Sequence, residues 1–375
     1  MLMIDITLDF KIQEKLVMKR KIVIVLLALL ILGLVPTVAL ASDIRAEVVK
    51  SFDFAGPLFG LAAAPDGSLL VADAGAGIVE VRHGASHLVS ELSGVTDIAP
   101  IGRGVMYAIT GGAEPEQRSP DSSASTLFRV SRGTPREIAD LYAFEAANNP
   151  AGGEVDSNPF DVAVLNGGAA LVADAGGNDL LIIDQKNNVD WVATLPTEIV
   201  STANAQSLLG CPDAPPDFQF ICTIDYMPAE PVATSVAIGP DGAYYVGELK
   251  GFPAPIGVSK VWRIEPGTRH AECGTSPACT VVYDNFTSVI DLAFGPDGTL
   301  YVVEMDEASW AAVELGIPGV ALGGTVNACD ANGGGCTEIA TGLSMPTAIV
   351  ADKKAGLFVT VNSLIPGAAG IMPLP

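Results

Sequence analysis

The sequence predicts an all-β fold, a six-bladed β-propeller, on three observations. First, one short phrase recurs six times: an apolar residue and Ala, a Gly-centred turn, then an apolar run. The clearest copies are Leu61–Asp73, Ser235–Glu248 and Asp291–Glu304; weaker ones are Asp97–Thr110, Asp161–Asp174 and Ala348–Val361. Each has the form of a β-hairpin around a turn that needs Gly or Asp. Second, the turn positions Gly67, Gly104, Gly168, Gly242, Gly298 and Ala355 are 37, 64, 74, 56 and 57 residues apart. Units of that size hold several strands and cannot bury both faces alone, so they must stack around a ring. Third, 40 Gly and 26 Pro among 375 residues suit short strands and tight turns, and 49% hydrophobic residues fill a sizeable core. Seven blades is the competing count, because the two longest steps have room for a degenerate unit.

The elements follow in order. Lys19-Arg20-Lys21, the apolar run Ile22–Val35 and Ala39-Leu40-Ala41 have the layout of a signal peptide ending at residue 41. The propeller domain would then occupy 42–375, and residues 1–17, ahead of Met18, have the form of a start-site extension. An uncleaved anchor is the alternative, since the apolar stretch is just long enough to span a bilayer. A spare strand, Glu47–Phe52, precedes the first hairpin, whereas the sixth unit has only Ile371-Met372 as a third strand. The N-terminal strand is therefore expected to complete the last blade and remove an open sheet edge. Further strands follow the third hairpin (Leu180–Asp184, Val189–Leu195), the fourth (Val261–Ile264, Thr280–Tyr283) and the fifth (Thr325–Ala328, Thr337–Ala340).

The six cysteines fall in close pairs, Cys211/Cys222, Cys273/Cys279 and Cys329/Cys336. An even count in an exported chain predicts disulfides, and local closure is the easiest pairing. The second and third pairs are expected in equivalent places, the turn between the outer two strands of blades 4 and 5. Zinc would need the pairs to converge, and turns on neighbouring blades diverge.

Net charge is −23, and near −25 for residues 42–375, with 15 basic against 40 acidic residues. That excludes a nucleic-acid role, which needs a basic patch, and disfavours anionic membrane surfaces. The residue before each apolar–Ala pair, and the one thirteen positions on, should lie near one mouth of the central channel. This set contains Asp97, Asp161, Asp174, Glu248, Asp291 and Glu304. With a two-residue turn, Asp161 would face Asp174 and Asp291 would face Glu304, and facing like charges need an offset. Oxygen-rich donors of this kind suit Ca²⁺, with Ser157 and Asn158 adding oxygens. The competing reading is structural: blade-end acids accept hydrogen bonds from neighbouring loops. No Gly-x-Ser-x-Gly elbow occurs, no Gly-rich loop leads into a helix, and His83, His87 and His270 form no evident catalytic set.

Two stretches are more distinctive than the hairpins: TSVAIGPDGAYYVGELKGFPAPIGVSKVWRIEPG (234–267) and FEAANNPAGGEVDSNPF (144–160). On them the chain resembles the ScyD/ScyE family of exported proteins, similar to NHL and SMP-30-like propellers. The resemblance runs from about Val48 to the C-terminus. It implies a scytonemin-gene-cluster type of protein, named for a cyanobacterial sunscreen pathway with late steps outside the cytoplasm. Asp156, Asn158, Glu248, Gly251 and Pro253 match its recurring motifs, and the family supplies no catalytic residues to carry over. Ala151 stands where members often carry Asp, which removes one oxygen from that loop. In the chain itself, Asn148–Pro159 forms a polar link into the third blade, and Gly247–Gly257, with Phe252 and Pro253, a rigid apolar lip.

The leading expectation is an exported propeller that binds a small molecule or a protein partner in secondary-metabolite or cell-envelope processes, without chemistry of its own. A Ca²⁺-dependent lactonase-like hydrolase and a cell-surface scaffold are the alternatives.

Overall fold

The computed structural model describes residues 50–51, 54–102, 104–113, 123–316, 319–330 and 333–375. The signal segment expected in 1–41 lies outside them. Six blades surround a channel, each an antiparallel sheet in chain order from the centre outward. Their innermost strands are Leu58–Ala63, Val95–Gly102, Pro159–Val164, Ala233–Ile238, Val289–Phe294 and Ile349–Asp352. Each packs against the innermost strand of the next blade, and the sixth returns to the first. The outermost strand of blade 6 is Lys50–Ser51, with Lys50 opposite Ile371 and Ser51 opposite Gly370, so the N-terminal strand does complete the last blade. Apolar clusters fill the spaces between adjacent blades.

The recurring Pro-Asp-Gly turn is longer than a two-residue hairpin. In blade 1 the Ala64 N–H donates to the Ser68 carbonyl (2.8 Å), and Gly239/Ala243 and Gly295/Thr299 repeat the pattern. The turn Asp accepts the N–H two residues on: Asp66 from Ser68 (3.1 Å), Asp241 from Ala243 (3.1 Å) and Asp297 from Thr299 (3.0 Å). The following glycine takes the left-handed conformation, with φ of 93°, 79° and 88° at Gly67, Gly242 and Gly298.

A bulge then shifts the register at the start of the innermost strand in blades 1 to 5, at Leu58/Gly60, Val95/Asp97, Pro159/Asp161, Ala233/Ser235 and Val289/Asp291. It overturns the expected facing pairs. Asp174 lies opposite Pro159 and Asp161 opposite Ala173, while Glu304 lies opposite Val289 and Asp291 opposite Val303.

The bulge also aims two adjacent side chains sideways, at the next blade. Asp97 accepts from the Val162 N–H (3.0 Å), Asp161 from Val236 (2.6 Å) and Asp291 from Ile349 (2.6 Å). The hydroxyl of Thr96 donates to the Pro159 carbonyl (2.9 Å), Thr234 to Val289 (2.7 Å) and, from blade 6 without a bulge, Thr347 to Leu58 (2.6 Å). Blades 1 and 2 meet differently, through the bare backbone of Gly60.

The long steps of the repeat are insertions, not a seventh blade. Three short helices interrupt the β-structure: α1 (Leu141–Asn148), α2 (Ala203–Leu208) and α3 (Trp310–Glu314), with a 3₁₀ segment at Pro216–Thr223. Asp140 caps α1, accepting from the Ala143 N–H (2.9 Å). A two-stranded ribbon, Glu198–Ser201 with Tyr226–Ala229, brackets α2.

The cysteines pair as expected, with Cα–Cα distances of 5.4 Å for Cys211–Cys222, 5.2 Å for Cys273–Cys279 and 4.0 Å for Cys329–Cys336. Such staples belong to an oxidising compartment, in keeping with export. The second and third bridges both lie, as expected, in the connection between the outer two strands of blades 4 and 5, but they tie different elements. Cys336 opens the outermost strand of blade 5 directly opposite Cys329, so that bridge ties the two outer strands of one blade. Cys329 is buried, whereas Cys336 is exposed at the outer edge, far from the channel. Cys273–Cys279 instead joins two blades: it anchors the short strand Ala271–Glu272, which pairs in parallel with the outer edge of blade 3, to the outermost strand of blade 4. The physical reason is the length of the connection, since the segment between the outer strands of blade 4 is long enough to reach its neighbour and that of blade 5 is not. No helix among the described residues is long and apolar enough to cross a membrane.

Gly60 gives a direct test of the blade 1–2 contact. A Cβ there would sit 2.2 Å from Asp97 Oδ1 and 2.7 Å from both Asp97 Cα and the Thr96 carbonyl oxygen. Gly60→Ala is expected to destabilise the protein by ~2 kcal/mol or more, read as a lowered Tm, because backbone must move to admit the methyl.

Candidate functional site

The six candidate acids do not share one opening. They divide into channel acids on the innermost strands and strand-end acids on the second strands.

The channel acids are Asp97, Asp161 and Asp291. Asp97 and Asp161 are close enough for each to shift the other's proton affinity, and carboxyls so placed favour a proton on one of them. Burial raises all three above the ordinary carboxylate range; the charge of Asp161 raises Asp97 and Asp291 further. The N–H groups from the next blades oppose the rise in each.

The strand-end acids are embedded in loop hydrogen bonds. Asp174 accepts from the Ser157 hydroxyl (2.6 Å) and from the N–H groups of Asn158, Gly176 and Gly177 (2.7, 3.1 and 3.0 Å). Glu248 lies 3.0 Å from the ammonium of Lys250 and accepts from the Trp262 indole (3.1 Å). Glu304 accepts from the Thr287 N–H and from Asn327 (2.7 Å). Asp73, outside the candidate set, holds the same place in blade 1 and accepts four backbone N–H groups.

As calcium ligands, the strand-end acids have oxygens already engaged by other donors. Among the described residues no three acidic, His or Cys side chains converge on a point that could hold a metal. Glu248 is matched by a lysine, the other strand-end oxygens are occupied by N–H and O–H donors, and each channel carboxylate spends an oxygen on the next blade. A Ca²⁺ ion needs six to eight oxygens free to turn toward it.

A like-charge confrontation does exist, between residues other than those expected. Asp174 lies directly opposite Asp179 across the Gly176–Gly177 turn. Asp179 is fully buried, and neither carboxyl oxygen has a hydrogen-bond partner. Burial drives its pKa well above the usual value, and the charges of Asp174 and Glu145 add to the rise. Glu145, buried on α1, is pushed up to about 7 by burial, then by Asp174 and Asp156. Burial pushes Asp174 to about 6 against its hydrogen bonds, with Asp156 adding. Asn158 is a loop fastener: its side-chain oxygen accepts from the Gly112 N–H (2.7 Å).

Over blades 4 and 5 the insertions build a cap. Phe252 precedes Pro253 through a cis peptide and packs against Phe218 and Phe220, with ring centroids 6.3 and 6.4 Å apart. The Trp310 indole donates to the Lys250 carbonyl (2.9 Å), and Asn204 donates to the Ala254 carbonyl (2.6 Å) and the Ser309 hydroxyl (3.0 Å). Phe160 and Ile290, the bulge residues beside Asp161 and Asp291, join the same apolar cluster. Below it Lys250, fully buried, bridges Glu248 and Glu198 (3.0 and 2.6 Å), and Lys260 also pairs with Glu198. Between α2, the 3₁₀ segment, the Phe252 loop and α3 lies a cleft of about 430 Å³, counted out to solvent. Leu208, Phe218, Phe252, Trp310 and Leu315 line it, with Glu314 as its one charged group.

Sequence reasoning named Phe252 and Pro253 for this region and missed Lys250, Trp310 and Glu314. Lys250 could have been found: it follows Glu248 by two residues inside the distinctive 234–267 stretch. Nothing in the sequence marks Glu314.

No protein-family model matches the chain, and no curated protein does either. Solved structures do resemble it. A gluconolactonase from Xanthomonas campestris is 12% identical, with a TM-score of 0.53, covering 87% of this chain and 89% of its own. A putative oxidoreductase (glucose dehydrogenase) from Thermus thermophilus is 17% identical, with a TM-score of 0.53, covering 86% and 99%. A calcium-binding protein, regucalcin, from Agrobacterium tumefaciens strain C58 is 12% identical, with a TM-score of 0.49, covering 82% and 85%. At these identities the likeness is one of fold: the chain is a six-bladed β-propeller.

The buried acids predict a pH dependence of definite sign. Glu145 and Glu304 near 7 and Asp174 near 6 all lie above their unfolded values. The folded protein therefore holds protons that the unfolded chain releases from about pH 4 upward. Their contribution is full below that pH and is lost as pH rises through 6 to 7. The Tm should fall from pH 5 to pH 8. Asp179→Asn should raise the Tm at pH 8 and lose most of that advantage at pH 5, as followed by thermal melts across pH.

Proposed function

We propose that this chain is an exported propeller that binds a small, largely apolar ligand in the cleft beneath its cap, within secondary-metabolite or cell-envelope processes of the ScyD/ScyE kind. The observation that carries this reading is the cleft. Aromatic side chains from three separate chain segments converge there, on a scaffold of hydrogen bonds and a buried Lys–Glu network. Pockets of this make-up, apolar with one polar group, are how proteins hold small molecules. The strand-end and channel carboxyls of the candidate set are engaged by neighbouring loops and blades. Titration with the neutral fluorophore N-phenyl-1-naphthylamine tests it: binding should weaken about tenfold in both Phe252→Ala and Trp310→Ala, the loss expected for a buried aromatic contact of ~1–2 kcal/mol. Binding unchanged in both variants, or absent from the native protein, refutes it.

A second reading, a lactonase-like hydrolase, is supported by one observation. Asp97 and Asp161 sit together in the channel, and burial raises both above the ordinary carboxylate range, a pairing that can serve as general acid and base. The likeness to a gluconolactonase supports this at the level of fold alone. Calcium would enter this reading through channel carboxylate oxygens not used in the inter-blade hydrogen bonds. Aldonolactone hydrolysis that is lost in Asp161→Asn while the fold persists would favour it over simple binding; no turnover above the buffer rate, with or without added Ca²⁺, would end it.

A further inference from the structure

The cleft contains a carboxyl group that the binding reading leaves unused. Glu314 closes α3, and its side chain lies among Trp310, Phe218, Phe252, Leu208 and Leu315. No hydrogen bond or ion pair to it occurs among the described residues, and none of the other lining side chains titrates. Strand-end acids elsewhere gather N–H donors or a lysine. This one faces an aromatic wall and open space.

Resting on the cleft reading above, we propose that the site selects organic cations: ligands with a flat apolar body and an amine placed to meet Glu314. Three features favour a cation over a neutral molecule or an anion. The carboxyl is the one polar group in the cleft, so an ammonium gains a charge-assisted hydrogen bond there. Trp310, Phe218 and Phe252 present π-electron density that attracts cations and offers nothing to an anion. The chain as a whole carries a net charge of −23, which draws cations toward it and repels anions.

The proposal has a proton signature. Burial pushes the Glu314 pKa up to about 8, so the free site is protonated near neutral pH. An arriving ammonium expels that proton, and affinity for it should rise with pH until Glu314 is ionised. A neutral hydrogen-bond acceptor would show the opposite trend, because it needs the proton to stay.

Phenethylamine, 2-phenylethanol and 3-phenylpropionate share one body and differ in charge. They are titrated calorimetrically against the full mature chain at pH 6.5 and pH 8.5, in two buffers of different ionisation enthalpy. Phenethylamine should bind at least about tenfold tighter than 2-phenylethanol at pH 8.5, in the range of one charge-assisted contact with cation–π support. It should release a proton at pH 6.5, and Glu314→Gln should abolish both effects while still binding N-phenyl-1-naphthylamine. Equal or tighter binding of the alcohol or the carboxylate overturns the proposal. So does a cation preference that survives in Glu314→Gln. Binding of the naphthylamine with none of the three small probes overturns this proposal and leaves the cleft reading intact; failure of all four probes overturns both.

Discussion

Ring closure at the innermost strands is the constraint on which everything else depends. A bulge starts each of the first five innermost strands. At these bulges Asp97, Asp161 and Asp291 take an N–H from the next blade and Thr96 and Thr234 give a hydroxyl to one of its carbonyls, as Thr347 does from blade 6 to blade 1 without a bulge. The bonds of Asp97, Thr96, Thr234 and Thr347 are buried, so each missing partner there would cost about 1–3 kcal/mol. The ring is thus fastened from inside by polar groups in a region that apolar packing alone would leave free to slide. The strand Lys50–Ser51 fastens it from outside.

The acidity of the chain accordingly has two parts. Many carboxylates are solvated and give the protein its large negative charge. A smaller set is buried as structural hydrogen-bond acceptors, and burial keeps several of them partly protonated near neutral pH. Asp174 and Asp179 are the extreme case: they face each other across a Gly-Gly turn, and one is wholly without donors. Two carboxylates so placed cannot both be ionised cheaply, and a shared proton is the simplest relief. Metal coordination is a poor account of the strand-end acids, because their oxygens already face a lysine, hydroxyls and backbone amides.

The chain's long insertions lie over blades 4 and 5, and they convert a generic scaffold into a particular one. The Cys211–Cys222 disulfide, the buried Lys250 and the aromatic contacts of Phe252 fix a cap that no repeat unit supplies. Buried ammonium groups are costly unless paired, and Lys250 has two carboxylates within 3.0 Å. It joins the ribbon strand Glu198–Ser201 to Glu248 of blade 4. Function in propellers resides in such additions, and the likeness to known structures, at 12–17% identity, ends at the scaffold.

The sequence by itself determined the architecture. Six apolar–turn–apolar phrases, a spare N-terminal strand and paired cysteines are local signals, and hairpins, edge closure and short-range disulfides are local or nearest-neighbour events. It also marked Phe252 and Pro253, because an aromatic residue beside proline in a Gly-bounded loop has few other uses. Tertiary structure alone decided where the charges went. A longer turn and a bulge moved Asp174 and Glu304 away from their expected partners, and neither is encoded by residue spacing alone. Tertiary structure also decided that Cys336 staples its own blade to itself while Cys279 ties its blade to a neighbour. Whether an acid meets a lysine, an amide or another acid depends on loops far away in sequence: Asp161 on Val236, Lys250 on Glu198, Glu314 on Phe218. Those meetings set the protonation of each group, and with it the difference between a fastener and a site.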